Sequence, residues 1–250
     1  MKLLILAAGY ATRLYPLTLN QPKPLLEVAG KPMINHVIEK FAACPEIDEI
    51  AIVTNDKFTS HFEKWAAQSA GVCGSRRVRV FNDGTRSDAD KLGAIGDIRF
   101  VIQKAGIDDD LIVVAGDNLF SDPLDGYVKD AREKGILLGV YDVGSLEEIK
   151  KYGNVAVDAS GRLTHFEEKP KNPRSTLAAL ALYHYPRQTL PLIGEYVRAG
   201  NHPDQPGRLI QWLYPNHPVF AHRVGGLWLD IGSKETLQEA NKVFANLKKS

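Results

Sequence analysis

From residue 3 to residue 115 the chain alternates short, mostly apolar runs, the first of them unbroken, with segments whose apolar residues recur at helical spacing. The expected strands are Leu3 to Ala7, continuously apolar, then Glu49 to Thr54, Val78 to Phe81, which is interrupted by Arg79, and Leu111 to Ala115. A strand without polar alternation must be covered on both faces, as it is inside a parallel sheet. The intervening segments supply the cover. Gly30-Lys31-Pro32 opens a helix with Ile34, Val37, Ile38 and Phe41 on one face, closed by Pro45. Ser60-His61-Phe62-Glu63 fits a capping box, with Phe62, Trp65 and Ala66 as the core face. Gly93 to Lys104 is a third helix. The pattern predicts an α/β fold with a mostly parallel central sheet and helices on both faces.

A helix from Leu124 to Lys134 and a strand from Ile136 to Tyr141 follow, and then the pattern changes. Short strands and turns at Asn154 to Val157 and Leu163 to Glu167 predict a small antiparallel sub-region. Leu177 to His184 and Val219 to Arg223 are further strands, and Lys234 to Leu247 is a closing helix. The expected organisation is one domain over 1–250, with parts 1–141 and 142–250. No hexapeptide repeat is present, so no C-terminal β-helix is expected.

Thirty-one Lys and Arg against thirty Asp and Glu leave a net charge of +1, which excludes binding of nucleic acid or acidic lipid through overall charge. Any phosphate site must be local. The two cysteines, Cys44 and Cys73, form no CxxC, and a reducing cytosol suits them. The apolar start is shorter than the ~7–15 residues of a signal core or the ~20 of a membrane span, so neither is expected.

Open α/β sheets bind ligands beyond the carboxyl ends of their strands. The loop Ala8-Gly9-Tyr10-Ala11-Thr12-Arg13 lets backbone N–H groups approach a phosphate, with charge from Arg13 and Lys23; a tight turn with two solvated cations is the plainer alternative. Asp117 ends an apolar strand and could hold magnesium with substrate phosphates, or cap a helix. Asp230, in Trp228-Leu229-Asp230-Ile231-Gly232-Ser233, has the same two readings, and Ser233 is a second candidate cap. Glu168-Lys169, with Tyr152-Gly153 upstream, could hold sugar hydroxyls and a phosphate, or be a solvated charge run. Asp108-Asp109-Asp110 contains a DxD but precedes its strand, at the wrong edge of the sheet, and reads as a solvated turn. No serine elbow or Cys/His pair occurs. Phosphoryl transfer needs neither, because positioning and charge do most of the work.

Taken in order, LAAG, TRL, PLT, PKPLL, GDN, EEKP and WLDIG resemble the sugar-1-phosphate nucleotidylyltransferases, from Lys2 to about Ser233. The resemblance implies a Rossmann-like nucleotide-diphospho-sugar transferase fold. It also implies an enzyme that joins a nucleoside triphosphate and a sugar 1-phosphate, releasing pyrophosphate, with Mg2+ as cofactor. In that pattern Leu6, Ala7, Ala8, Gly9, Thr12, Arg13, Lys23, Asn82 and Gly93 bind the nucleotide, and Arg13, Lys23 and Asp117 are catalytic. Asp117 and Asp230 hold the metal. Asn118, Tyr152, Gly153, Glu168, Lys169, Ala181 and Trp228 bind the sugar phosphate. Three positions depart from the family: Ala11 and Ala181 replace common glycines, and Asn82 stands where glutamine often reads the base.

The partners implied are the two small substrates, in the cytoplasm, without nucleic acid or membrane, and the oligomeric state stays open. Two other readings are carried. One is a CTP:phosphocholine-type cytidylyltransferase, in which Tyr152, Tyr183 or Trp228 would face a quaternary ammonium. The other is a nucleotide-sugar sensor without catalysis.

Overall fold

The computed structural model describes residues 1–247. In chain order the elements are β1 (Lys2–Leu6), β2 (Glu27–Val28), β3 (Lys31–Pro32), α1 (Met33–Glu39), β4 (Glu49–Thr54), α2 (Thr59–Ala67), α3 (Ala70–Cys73) and β5 (Arg77–Asn82). There follow α4 (Ala94–Ala105), β6 (Leu111–Ala115), β7 (Asn118–Phe120), α5 (Asp125–Lys134), β8 (Ile136–Asp142), β9 (Gly153–Val157), β10 (Leu163–Glu168) and β11 (Leu177–Tyr185). The last are α6 (Leu190–Arg198), α7 (Gly207–Leu213), β12 (Val219–Arg223), β13 (Trp228–Asp230) and α8 (Lys234–Leu247). The class is the one the apolar runs predict: mixed α/β, with a mostly parallel central sheet, helices and small antiparallel pairings.

The chain packs as two compact units that interleave in sequence, residues 1–91, 114–125 and 226 onward in one, 92–113 and 126–225 in the other. In the first unit the strand order is β1-β4-β5, all mutually parallel, and the end of β6 from Val114 onward belongs to this unit too. Leu3, Leu4 and Ile5 of β1 and the whole of β4 are buried, as unbroken apolar strands require. Each of the Leu, Ile and Val side chains among them contributes roughly 1.5–3 kcal/mol by leaving water. Ile34, Val37, Ile38 and Phe41 are buried too, although α1 ends at Glu39, well before Pro45.

The capping box expected at Ser60 is not formed. Residue 60 already lies inside α2, and the cap belongs to the preceding turn, where the Asn55 carboxamide accepts the Phe58 N–H at 3.2 Å. Trp65 is only half-buried and donates its indole N–H to Asn35 at 2.9 Å.

The second unit carries the antiparallel pairing expected after Tyr141. β11 pairs antiparallel with β8 and β9, β9 with β10, and β12 runs parallel to β8. Its helices α6 and α7 were not anticipated, because Pro, Gly and polar residues crowd the stretch between them. Gly93 starts α4 at φ +77°, and a Cβ there would sit 2.8 Å from the backbone of Pro203 and Asp204. Gly93→Ala should therefore lower the unfolding free energy by about 2 kcal/mol or more, from the positive φ and the overlap together. Urea unfolding followed by circular dichroism checks this; a loss under about 0.5 kcal/mol would mean that the 203–204 segment yields easily.

Candidate active site

In the first unit, β1 and β6 end side by side, and the Gly116 N–H donates to the Leu6 carbonyl at 3.0 Å. The loop after β1 and the acidic end of β6 therefore emerge together at the carboxyl edge of the sheet. The loop is tied from beneath. The fully buried Asn55 donates to the Ala8 carbonyl at 2.9 Å, and the buried Thr18 hydroxyl donates to the Ala11 carbonyl at 2.8 Å. Neither residue was singled out from sequence; the signal for Asn55 was its place just after the apolar strand β4.

Gly9 is exposed, and a Cβ on it would meet nothing within 4 Å, so its backbone faces open space. Ala11 takes the left-handed conformation, φ 49° and ψ 43°, which a glycine would adopt without penalty. Thr12 and Arg13 follow in a 3-10 turn, both exposed, and Arg13 makes no hydrogen bond or ion pair among the described residues. Leu6, Ala7 and Ala8 are half-buried or buried and lead into the loop.

Lys23 packs against the end of β6. A Cβ on Gly116 would lie 2.9 Å from the Pro24 ring, so only glycine admits the Lys23-Pro24 segment this closely. Lys23 Nζ then donates to Asp117 Oδ2 at 2.5 Å. On the other oxygen, the Asn118 carboxamide donates to Asp117 Oδ1 at 3.2 Å. Asn118 is held in turn by the buried Trp228, whose indole N–H donates to Asn118 Oδ1 at 2.8 Å. Burial opposes the Asp117 charge, but the Lys23 ammonium and the Asn118 amide outweigh it and hold the carboxyl below the usual range.

Asp230 reaches the same place through a ladder that was not foreseen. β7 and β13 pair antiparallel, with Asp230 opposite Asn118 and Trp228 opposite Phe120, and the Ile231 N–H donates to the Asp117 carbonyl at 3.3 Å. Neither aspartate caps a helix. Asp117 runs into β7, and α8 is capped by Ser233, whose hydroxyl accepts the Thr236 N–H at 3.3 Å.

Two carboxylates at one end of a ladder, one of them held ionised, suit magnesium, which takes one or two carboxylates and fills its shell with phosphate oxygens and water. Among the described residues no group of three or more His, Cys, Asp or Glu is arranged to hold a metal ion by itself. Substrate oxygens would have to complete the shell.

Beyond β5 the expected base-reading stretch is stapled by its own acids. The Asn82 amide donates to Asp56 Oδ1 and accepts from the Gly84 N–H, both at 2.8 Å. Asp83 and Asp90 accept from Thr85, Arg86 and Ser87. Gly93 lies in the second unit, where it packs on 203–204.

The second unit contains a separate polar cluster. Glu168, at the end of β10, is opposite Gly153 on β9, which in turn faces Ala179 on β11. A Cβ on Gly153 would meet Phe166 at 2.9 Å and Glu168 Oε2 at 3.2 Å, and one on Gly207 would meet Glu168 Oε2 at 2.8 Å. The carboxylate thus lies over small residues. It makes no hydrogen bond among the described residues, and burial raises its pKa although Lys169 and Arg208 pull the other way.

Arg208 carried no sequence signal. Lys169 is exposed in the left-handed conformation, φ 49°, anchored by its N–H to the Tyr152 carbonyl at 3.0 Å. Such strain in a non-glycine residue is a feature of ligand clamps. Ala181 is half-buried on the irregular stretch of β11 between Ala179 and Tyr183. Tyr183 and Trp228 are both buried, so neither offers an open ring face to a quaternary ammonium.

The chain belongs to the nucleotidyl transferase family, whose profile matches residues 2–246. It is 27% identical over 245 residues to the bifunctional protein GlmU of Methanocaldococcus jannaschii, covering 97% of this chain and 54% of that protein. It is 29% identical over 248 residues to a proposed mannose-1-phosphate guanyltransferase of Sulfolobus acidocaldarius, covering 98% of this chain and 63% of that one. The chain thus spans between half and two thirds of these relatives' lengths. Among solved structures, a proposed glucose-1-phosphate thymidylyltransferase from Bacillus anthracis, in complex with a sucrose, superposes with a TM-score of 0.79 at 26% identity, covering 98% of this chain and 96% of that one. The family is generally dependent on a divalent metal. Among the described residues no helix is long and apolar enough to cross a membrane.

The Lys23–Asp117 pair predicts a pH signature. In Lys23→Met the half-buried Asp117 loses the counter-charge that holds its pKa down, so its pKa moves up toward or above the usual carboxylate value. In the wild type the pair's contribution is present above the unfolded carboxylate value and is lost as pH falls through the lower folded value. The variant instead gains as Asp117 takes up a proton. The stability gap should be widest above about pH 5 and should narrow toward pH 3. A gap independent of pH in denaturant titrations would remove the ion pair from the account.

Proposed function

We propose that the chain is a magnesium-dependent sugar-1-phosphate nucleotidylyltransferase: an oxygen of the sugar 1-phosphate attacks the α-phosphorus of a nucleoside triphosphate in line, the bond to the β-phosphate oxygen breaks, and a nucleotide sugar and pyrophosphate result. The observation that carries this reading is the convergence of Asp117, Asp230 and Lys23 at the strand end beside an open glycine loop. Asp117 and Asp230 would hold the magnesium, which when bound supplies charge neutralisation to the reacting phosphates.

In this reading Arg13 and the N–H groups of the loop that starts at Ala8 bind the triphosphate, Leu6 and Ala7 lead into that loop with the Ala7 N–H already donated to the Val53 carbonyl, and Arg13 with Lys23 stabilises the departing pyrophosphate. Asn118 and Trp228 orient Asp117. The base meets the 82–93 stretch, most of all through backbone groups, since the Asn82 amide is already engaged. Glu168 accepts from sugar hydroxyls, Lys169 pairs with the sugar phosphate, and Tyr152, Gly153 and Ala181 shape the surface around them. The division into a nucleotide part, 1–141, and a sugar-phosphate part, 142–250, belongs to the same reading. No general base is needed, because a phosphate monoester is largely ionised near neutral pH, with a second pKa of about 6. Two buried, free cysteines agree with a cytoplasmic setting.

Pyrophosphate release across five nucleoside triphosphates and a panel of sugar phosphates, with phosphocholine included, tests the proposal and names the substrates. Release with at least one sugar 1-phosphate is expected. Release with phosphocholine alone would favour the cytidylyltransferase, and binding without release the sensor. With the best pair, Asp117→Asn and Asp230→Asn should each cost on the order of 10² in turnover. Lys169→Ala should raise the sugar-phosphate KM while triphosphate binding stays within a few-fold, and Glu168→Gln should blunt discrimination among sugars. Loss of triphosphate binding in Lys169→Ala would put the lysine in the nucleotide site.

A further inference from the structure

A cavity of about 290 Å³ lies in the second unit between α4 and α6, apart from every residue assigned above. Its apolar lining includes Ile102, Ile107 and Leu190, and three arginines reach it: Arg99, Arg187 and Arg198. The arginines differ in how far their charge is used. Arg187 is already neutralised, since its guanidinium donates twice to the Asp108 carboxylate, at 2.6 and 2.5 Å, and its N–H donates to Asp110 at 2.8 Å. The DxD turn is thereby explained as a partner of Arg187.

Arg99 and Arg198 have no such partner. Arg99 Nε is buried and has no hydrogen-bond acceptor. A buried guanidinium N–H left unpaired is costly, so Arg99, which lines the cavity, gains by turning toward any acceptor brought into it. Arg198 folds back along its own helix, with Nη1 only 3.6 Å from where a Cβ on Gly194 would be. The guanidinium therefore lies along the cavity wall beside Gly194. It too makes no hydrogen bond or ion pair among the described residues.

We propose that this cavity is a second anion site, taking a phosphomonoester with a compact apolar body. Guanidinium forks match phosphate oxygens, and the isoleucine and leucine lining suits the organic part. The volume is at the lower end of the roughly 300–1,000 Å³ of ligand sites, too small for a nucleotide sugar. The site does not depend on the reaction proposed above.

Calorimetric titration of the whole chain with phenyl phosphate tests it, with inorganic phosphate and phenol as the two halves of the probe. Saturable binding of phenyl phosphate is expected, about tenfold tighter than either half, since both charge and apolar contact contribute. Arg99→Gln and Arg198→Gln should each weaken it about fivefold or more, whereas Arg13→Ala should leave it within twofold. Arg198 is exposed at a helix end, so its replacement keeps the test valid even where Arg99→Gln fails to fold. The proposal is overturned by unchanged binding in Arg198→Gln, by loss of binding in Arg13→Ala alone, which would move the probe to the phosphate loop, or by no saturable binding, which would leave a water on Arg99.

Discussion

The short ladder between β7 and β13 is the constraint on which the first half of the site depends. It sets Asp230 opposite Asn118, one residue beyond Asp117, so that two acids far apart in sequence become neighbours in the fold. A chain of donors then fixes the geometry. Trp228 donates to Asn118, Asn118 to one oxygen of Asp117, and Lys23 to the other. The two sides have separate supports: a Cβ on Gly116 would push Pro24 and so Lys23 away, and without its indole partner the buried Asn118 could turn.

The two carboxylates of most interest are pulled in opposite directions by their neighbours. Asp117 keeps its charge against burial because a cation and an amide face it, and it is suited to a metal or to work beside phosphates. Glu168 has no donor on its oxygens, and burial pushes its pKa up. A carboxylate in that state is stabilised by hydroxyl donors, which a sugar supplies. In the proposed reading the same residue class thus serves two tasks, separated by environment rather than by sequence.

Much of this was legible before the structure. The unbroken runs fixed β1, β4 and β6 within a residue or so, because strands buried on two faces leave no polar alternation to mislead. The loop at Gly9 and the strand-end Asp117 were legible for the same reason: they follow such runs directly. The β7–β13 ladder was not, since three-residue strands have no readable period and their pairing is a matter of tertiary contact. Nor was the engagement of Asn82 by Asp56, or the burial of Trp228, which looks from sequence like an aromatic free to meet substrate. The capping box at Ser60 was misread because a four-residue pattern cannot tell a helix start from its first turn. Arg208 is beside Glu168 only because α7 packs there, and α7 itself was hidden by proline and glycine.

The central claim is that Asp117 and Asp230 act as one unit because the ladder joins them. A double-mutant cycle on pyrophosphate release measures this directly, with Asp117→Asn, Asp230→Asn and the double variant compared at saturating substrates. If the two carboxylates serve a single bound cation, the double variant should be hardly slower than the worse single variant, since the first change already removes the shared function. If instead the two losses multiply, the aspartates act independently, and the ladder would be a structural feature without the role assigned to it.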